Sequence, residues 1–345
     1  MKMKKYFHSP TRPFEVVFDC DVGDVVKRMG KISFQGRNLS IALSIWKEML
    51  EGENVILLGL AGAMVPAGMR KLVSFLIEKR YIDCLVSTGA NLYHDLHESL
   101  GRYHWIGSPI VDDADLRKKR IDRIYDTFAS EDEFCQDDKF VKDFVKTLNL
   151  NRTYTTREFL YLLGKRLRAV GETEGILTSA YKADLPIFCP ALGDSSIGIA
   201  MAEYLIQDGK TPLFDIIRDA VEVSYIVEKA KSTGVIYVGG GTPKNYIQQA
   251  EVIAAVFRKG RKIGHSYAIQ ITADAPHWCG LSGCTFAEAQ SWGKIGLAAK
   301  KVDLHADATI VLPILVTALN QSLGRSFKRK KLPKFDFSGK SALRK

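Results

Sequence analysis

Short apolar runs, each followed by small or polar residues, recur along this chain of 345 residues and constrain its fold more than any other feature. Segments with helical periodicity separate the runs. Strands that are apolar throughout are typical of a parallel sheet covered by helices on both faces. We therefore predict an α/β, Rossmann-like fold with a mostly parallel sheet and helices on both faces. The predicted strands cover residues 55–60, 82–86, 186–189, 234–238, 267–271 and, late in the chain, 308–312.

The formal net charge of +10 is confined to the two ends of the chain. Residues 1–12 hold four basic and no acidic residues (+4), and residues 321–345 hold nine basic and one acidic (+8). The rest holds 36 basic and 38 acidic residues (−2). We predict a basic N-terminal segment at 1–14, one main domain at 15–320 and a basic, flexible, solvated tail at 321–345. A near-neutral body without a recognised motif argues against nucleic-acid binding.

Other patterns restrict the class of protein further. The longest uncharged stretch is interrupted by Gly and Pro and is too short to cross a bilayer. The six cysteines lack CxxC spacing and the start lacks a secretory signal, so we expect a cytoplasmic protein with reduced thiols. The charged stretch at 126–155 predicts a peripheral helical excursion. His94 and His97 have HxxH spacing but no recognisable acidic ligand, so we predict no metal site.

Glycines and carboxylates next to the predicted strands are candidates for ligand binding. The glycines at 239–241 precede a helical pattern at 246–259, where backbone N–H groups are able to approach a phosphate. A tight turn with positive φ explains the same glycines. Asp194 and Asp307 likewise have two interpretations, as a helix N-cap or as a carboxylate that holds a ribose hydroxyl or an amine. The residues alone leave both pairs of alternatives open.

The segment 279–295 holds more candidate functional residues than any other segment. Thr285 and Glu288 have the spacing of a capping box, so a short helix begins there. Lys294 lies between Trp292 and Ile295, and a lysine desolvated by such neighbours would be a neutral amine nucleophile able to form an imine. For a lysine considered alone, a surface position with an extended charged end is the simpler interpretation.

Residues 288–295 (EAQSWGKI) resemble the signature around the imine-forming lysine of the deoxyhypusine synthase family. Further matches at 34–38, 87–89, 190–194, 239–244, 272–273 and 306–308 keep the family's order and spacing, over about residues 15–320. The resemblance implies the family's fold and an NAD-dependent transfer of the 4-aminobutyl group of spermidine through an imine on Lys294. It also implies a homotetramer with NAD sites at a dimer interface.

The resemblance also assigns residues to the two ligands. The expected NAD-binding residues are Gly62, Thr88, Gly89, Asp194, Gly240, Thr272, Ala273, Asp307 and Ala308. The expected substrate-binding residues are His94, Asn245, Gly280, Ser282, Glu288 and Trp292.

This chain departs from the family where amines are held. His94 stands in place of one of a pair of glutamates, Ile199 in place of an aspartate, and Asn245 in place of a histidine that is the family's suggested proton acceptor. We therefore predict that the imine and hydride chemistry is retained and that the substrate amines are bound differently. We also predict that His94, with a pKa near neutrality, is the proton acceptor.

The acceptor amine is open between two candidates. It is either a protein lysine, on the translation factor that bears hypusine, or a small diamine such as putrescine, which would yield homospermidine. A third alternative is a non-catalytic protein that binds NAD or polyamine.

Overall fold

A six-stranded sheet forms the centre of the chain in a computed structural model that describes residues 9–278 and 280–336. Its strand order is β11-β10-β9-β1-β2-β7, and every pair of neighbours is parallel. The strands are β1 (Val55–Leu60), β2 (Cys84–Ser87), β3 (Trp105–Ile106), β4 (Ile121–Ile124), β5 (Thr127–Ser130), β6 (Thr153–Tyr154), β7 (Ile187–Phe188), β8 (Leu213–Phe214), β9 (Thr233–Val238), β10 (His265–Thr272) and β11 (Ile295–His305).

Helices cover both faces of this sheet. The helices of the described chain are α1 (Val22–Met29), α2 (Phe34–Glu51), α3 (Arg70–Glu78), α4 (Gly89–Ser99), α5 (Asp113–Lys118), α6 (Glu131–Lys146), α7 (Thr156–Val170), α8 (Ile176–Ala183), α9 (Ser196–Asp208), α10 (Ile216–Lys229), α11 (Gly241–Phe257), α12 (Gly280–Gly283), α13 (Phe286–Ser291) and α14 (Ala308–Leu323).

Strand β1 explains why the apolar runs predicted the sheet correctly. All six of its residues are buried, and alternate side chains belong to different hydrophobic clusters on the two faces. Ile56 and Leu58 face one helical layer, and Val55 and Leu57 face the other. A strand buried on both sides has no polar positions, so it appears in the sequence as a continuous apolar run. The predictions for β1, β2, β7, β9 and β10 are confirmed, and so is the parallel α/β class.

The prediction of a strand at 308–312 is wrong. These residues begin helix α14, whose N-cap Asp307 accepts a hydrogen bond from the backbone N–H of Thr309 at 2.7 Å. The buried residues of α14, such as Val311 and Leu315, recur at helical spacing. The true last strand is β11, which begins directly after Lys294 and lies at one edge of the sheet.

The tail predicted to be solvated is exposed over most of residues 324–336, but it is anchored to the body of the protein at Arg329 and Phe327. The guanidinium of Arg329 donates to the Asp83 carboxylate at 2.7 Å, and the exposed fractions of these side chains are 2% and 0%. Phe327 packs edge-on against Tyr81. Asp83 lies just before β2, where a buried carboxylate requires a cation, and the tail supplies it. Residues 337–345 of the predicted tail and 1–8 of the basic N-terminal segment lie outside the described residues.

Two smaller features lie outside the central sheet. Strands β3, β5 and β4 form an antiparallel sheet that the sequence did not indicate. The helical excursion predicted within 126–155 is present as α6, whose N-cap is Ser130. Among the described residues, no helix combines the length and the apolar composition that a membrane span requires.

Candidate active site

Lys294 lies in a small polar cluster on one flank of the sheet. Its Nζ donates to the Asn245 side-chain oxygen at 3.2 Å and lies 5.5 Å from the centre of the Trp292 ring. Asn245 is on the N-terminal part of α11, and Glu288 is in the first turn of α13, whose N-cap is Thr285 as predicted. An amide oxygen accepts a hydrogen bond from Nζ without placing a full negative charge beside it. Trp292 is 62% exposed, so its ring forms a solvent-accessible side of the cluster.

The glycine turn that starts α11 borders this cluster. Gly239 and Gly241 have φ of 74° and 56°, so the backbone there takes the left-handed conformation that favours glycine. A Cβ on Gly240 would lie 2.4 Å from the Cα of Ser282, and the Ser282 hydroxyl accepts from the N–H of Gly241 at 3.3 Å. Turn geometry and close packing therefore account for all three glycines, whether or not a phosphate binds.

Lys244, in the first turns of α11, is a further residue of this region whose importance the sequence did not reveal. Its Nζ donates to the Gln270 side-chain oxygen at 2.8 Å and to the Cys284 carbonyl at 2.5 Å. Burial lowers the pKa of this amine, which is almost fully enclosed. Gln270 in turn donates to the carbonyls of Gly239 and Ser282. The network ties the glycine turn, β10 and α12 together.

Backbone hydrogen bonds align the turns at the carboxyl edge of the sheet. Each joins a residue of one turn to the end of the neighbouring strand, and together they run from β11 to β2: Ala306 N–H to Thr272, Gly239 N–H to Ile271, Ala61 N–H to Val238 and Thr88 N–H to Leu60. The predicted NAD-binding positions at 62, 88–89, 240, 272–273 and 307–308 thus lie along one edge. Parallel α/β sheets bind their ligands at this edge.

Two helices begin at this edge without a side-chain cap. They are α4, with Thr88 as N-cap, and α11, with Gly240 as N-cap. Apart from the Gly241 N–H, which donates to Ser282, their first backbone N–H groups keep the partial positive charge of a helix start, which suits an anion. Gly89, the first residue of α4, packs so closely that a Cβ would lie 2.4 Å from the Ser195 hydroxyl.

The two predicted aspartates differ in what they do. Asp307 caps α14, and hydrogen bonds from Thr309 hold the pKa of its carboxyl below the usual value. Asp194 is not a cap, because the N-cap of α9 is Ser195, which accepts from the N–H of Gly198. Asp194 is exposed beyond the end of β7, so its carboxylate is accessible to a ligand.

His94 lies in a different environment from the one predicted. Burial, followed by the nearby rings of His104 and His97, lowers its pKa to about 3, so the prediction of a pKa near neutrality is wrong. The ring packs on Phe134 of α6, and its Nδ1 is 2.9 Å from His104 Nε2. Within the described part of the chain, no cluster of three or more His, Cys, Asp or Glu side chains has a geometry that would hold a metal ion.

A single chain keeps His94 and Lys294 apart. Four inter-strand steps separate β11 from β2, which is about 19 Å at the usual spacing. Lys294 precedes the amino end of β11, whereas α4, which carries His94, begins beyond the carboxyl end of β2. The predicted residues therefore form two groups. In one group Lys294 contacts Asn245 and Trp292, with Ser282 and Glu288 on the neighbouring helices α12 and α13. The other group lies around the start of α4, with Thr88, Gly89, His94 and Asp194.

The remaining predicted positions lie beside these groups. Gly62 has φ of 77°, and its carbonyl accepts from the Asn91 amide at 2.8 Å. Gly280 has φ of 73° and open space where a Cβ would point. Ile199 is an exposed apolar residue on α9, at the position where the family has an aspartate.

The fold and these two groups define a parallel α/β protein with helix starts exposed along one sheet edge and a lysine amine on its flank. The family model for deoxyhypusine synthase matches residues 24–319. "Probable deoxyhypusine synthase 2" of Methanosarcina mazei is 49% identical over 341 residues, which cover 98% of this chain and 97% of that protein. "Probable deoxyhypusine synthase 1" of the same organism is 38% identical over 322 residues, covering 93% and 98%.

A solved structure from Entamoeba histolytica, of a protein assigned as a deoxyhypusine synthase, has the same fold. It aligns with a TM-score of 0.63 and 17% identity over 91% of this chain and 97% of that one. The chain belongs to the deoxyhypusine synthase family. Enzymes of this family are aminobutyl transferases, and this chain is a transferase of that class.

Proposed function

We propose that this chain transfers the 4-aminobutyl group of spermidine, through an imine on Lys294, to an acceptor amine. The observation that carries the proposal is the environment of Lys294, with its amine on a neutral amide oxygen 3.2 Å away and beside the Trp292 ring. An aromatic face attracts a polyamine cation and excludes water from one side of the amine. The Glu288 carboxylate in the same cluster is a suitable partner for a second amino group.

The carboxyl edge fits NAD, which the family uses. The uncapped starts of α4 and α11 would receive the pyrophosphate, and Asp194 is an exposed carboxylate able to accept from a ribose hydroxyl. When bound, NAD would accept a hydride from the carbon beside the secondary amine of spermidine and later return it. Close packing on Ser195 and Ser282 requires glycine at positions 89 and 240, the two helix starts that would hold the dinucleotide.

The side chains of the chain have distinct tasks in this reaction. Loss of the hydride and of the N–H proton converts spermidine to an imine, and His94 takes up that proton. The Lys294 amine attacks the imine carbon, the bond to the departing amine breaks, and 1,3-diaminopropane leaves. The four-carbon unit then remains as an imine on Lys294, until an acceptor amine displaces the lysine.

We propose a homotetramer in which each active site is shared between two chains. The separation of His94 and Lys294 within one chain supports this arrangement, because the proton acceptor and the nucleophile must both reach the same substrate. A two-fold axis brings one chain's Lys294 group to the other chain's α4 group, and generates two equivalent sites.

The acceptor is proposed to be a protein lysine, as in deoxyhypusine synthesis. Putrescine is the alternative acceptor, favoured by the replacement of acidic amine-binding positions by His94, Asn245 and Ile199. In Methanosarcina mazei two proteins with synthase names coexist, and this chain is more similar to the one numbered 2. A non-catalytic role is disfavoured because residues 292–294 (Trp-Gly-Lys), which include the imine-forming lysine, are retained.

One experiment tests the proposal and separates the acceptors. The protein is incubated with NAD and spermidine, with and without putrescine, the released amines are measured, and the protein is reduced with borohydride. We expect 1,3-diaminopropane and a borohydride-stable adduct on Lys294. Homospermidine formed only with putrescine would select the diamine acceptor.

Two variants make the assignment specific. Lys294→Ala should lose the adduct, whereas Lys300→Ala, which alters an exposed lysine of β11 paired with Glu48, should keep it. Absence of both diaminopropane and adduct from the wild type would refute the transferase proposal.

A further inference from the structure

A hydrogen-bonded chain of three side chains extends from His94 away from the sheet edge. His94 Nδ1 lies 2.9 Å from His104 Nε2, and His104 Nδ1 lies 2.8 Å from a carboxylate oxygen of Glu98. His104 is almost fully buried, with 5% of its side chain exposed. His94 and Glu98 are one helical turn apart on α4, and His104 reaches them from the loop that follows this helix. The sequence did not indicate this contact.

The direction of donation along this chain follows from the carboxylate. An ionised carboxylate only accepts, so His104 Nδ1 carries the proton of that bond. A neutral imidazole has one donor and one acceptor nitrogen, so His104 Nε2 accepts and His94 Nδ1 donates. The lone pair of His94 is then on Nε2. Among the described residues, His94 Nε2 has no hydrogen-bond partner.

We propose that Glu98 and His104 are positioning residues that fix His94 in the tautomer with a basic Nε2 and form a relay for the proton taken from spermidine. This inference rests on the proposed function, in which His94 is the proton acceptor. It adds two residues that do not contact the substrate and identifies His104 as the group that holds the proton.

The relay balances with one proton and no redox change. His94 Nε2 takes the proton from the substrate nitrogen, and His94 Nδ1 passes its own proton to His104 Nε2. His94 is neutral again, with its proton now on Nε2, and His104 becomes an imidazolium. The Glu98 carboxylate, 2.8 Å from His104 Nδ1, stabilises that positive charge. The reverse transfers return the proton when the acceptor imine is reduced.

The relay resolves a difficulty in the chemistry of His94. Because its pKa is lowered, His94 does not keep an extra proton at neutral pH. An imidazolium on His104 would be paired with the Glu98 carboxylate. A cation from another helix also faces the relay. Arg70, from α3, is 3.7 Å from Glu98 but has its main ion pair with Asp95 at 2.8 Å.

The neighbouring ring of His97 is not part of the relay. Its Nδ1 lies 2.6 Å from Asp137 of α6, its Nε2 faces Glu133 at 3.7 Å, and Arg102 also pairs with Asp137. His97 contacts the His104 ring and Phe134 without a hydrogen bond to His94. His97→Gln is therefore a matched control, because it removes a ring of the same cluster and none of the hydrogen bonds of the relay.

Nitrogen-15 NMR of histidine-labelled protein tests the tautomer directly. We expect His94 to carry its proton on Nδ1 in the wild type and in His97→Gln, and to lose this preference in His104→Phe. A wild-type His94 protonated on Nε2 at neutral pH would overturn the proposal, whatever the activity of the protein.

Kinetics of diaminopropane release test the relay. His104→Phe should lower kcat by about 10²-fold, the usual value of a general base, with KM for spermidine unchanged. Glu98→Gln keeps the hydrogen bond but removes the charge, so kcat should fall and the acidic limb of its pH profile should move to lower pH. A merely structural role would move neither the limb nor the tautomer.

The outcomes separate this inference from the proposed function. Unchanged kcat and pH profile in both His104→Phe and Glu98→Gln, with an active wild type, would overturn the relay alone. A wild type that releases no diaminopropane would refute the transferase and the relay's role in it, and the NMR result would still decide whether Glu98 and His104 fix the tautomer of His94.

Discussion

Replacing Arg329 tests whether the tail is part of the folded core. Arg329→Met keeps most of the apolar length of the side chain but removes the cation from the buried Asp83 carboxylate. The Arg329 guanidinium donates to Asp83 at 2.7 Å and to the carbonyls of Asn54 and Arg80 at 2.6 and 2.9 Å. After the change, Asp83 keeps only the N–H of Ile56 at 2.9 Å and the more distant Arg80 guanidinium at 3.5 Å.

The expected loss is about 3–5 kcal/mol in the free energy of unfolding, the usual cost of leaving one partner of a buried ion pair without the other. Urea unfolding at pH 7 measures it. Asp83→Asn combined with Arg329→Met should recover most of the loss, because the second change removes the unpaired charge. Lys331→Met is the matched control in the same tail. Its exposed amine is 3.8 Å from Glu53, so the effect should stay within about 0.5 kcal/mol.

The pH dependence of the same variant has a definite sign. Burial already raises the pKa of Asp83 in the folded chain, against the opposing effect of Arg329. Without Arg329 the folded pKa rises further above the unfolded value, so the folded state binds the proton more readily and is relatively more stable at low pH. Arg329→Met should therefore regain part of its lost stability as pH falls from 7 towards 4. A loss below about 1 kcal/mol at pH 7, or no rescue by the double change, would refute an anchored tail.

Three further outcomes are expected. When Lys294→Ala and His94→Ala chains are mixed during refolding, half of the dimers should contain one chain of each variant. Each such dimer has one intact site of two, so the mixture should recover about 25% of wild-type activity. A mixture as inactive as the two separate variants would place the whole site in one chain. Gly240→Ala should disturb the Ser282 backbone and lower stability in a thermal melt, whereas Gly193→Ala, whose added carbon meets nothing within 4 Å, should not. The pKa of His94 is lowered to about 3 in the folded chain from about 6.5 in the unfolded chain, so its contribution to stability is present above pH 6.5 and is lost as pH falls, by at most about 1.4 kcal/mol per pH unit. In urea unfolding from pH 7 to 4, the free energy of unfolding of His94→Phe should therefore depend less steeply on pH than that of the wild type. An identical slope would contradict the lowered pKa.

The central sheet was predictable because its strands have no polar face. β1 and β9 are buried along their whole length, and such strands are continuous apolar runs in the sequence. β11 was missed because it is an edge strand, with exposed residues such as Leu297 and Lys300 between the buried Ile295 and Val302. The apolar run at 308–312 was assigned as a strand because five residues are too few to distinguish the two periodicities.

The site was predictable where position along a strand fixes position in space. Thr88, Gly240 and Thr272 follow strands of one parallel sheet, so their place at a common edge follows from the order of the elements. The surroundings of His94 were not predictable, because His104 approaches it through a loop whose course no periodic pattern describes. Its low pKa arises from this packing and from burial, which the residue type alone does not reveal.

The strand order has a consequence for how the chain is made. β1 pairs on one side with β2, close in sequence, and on the other with β9, where Val55 lies opposite Thr233. During synthesis, more than half of the chain must therefore leave the ribosome before the second edge of β1 is covered. Until then an apolar strand with unpaired backbone groups is exposed, which is the usual starting point of aggregation. Pairing across so long a separation in sequence is also typical of slow folding, which lengthens the time for which this edge of β1 stays uncovered.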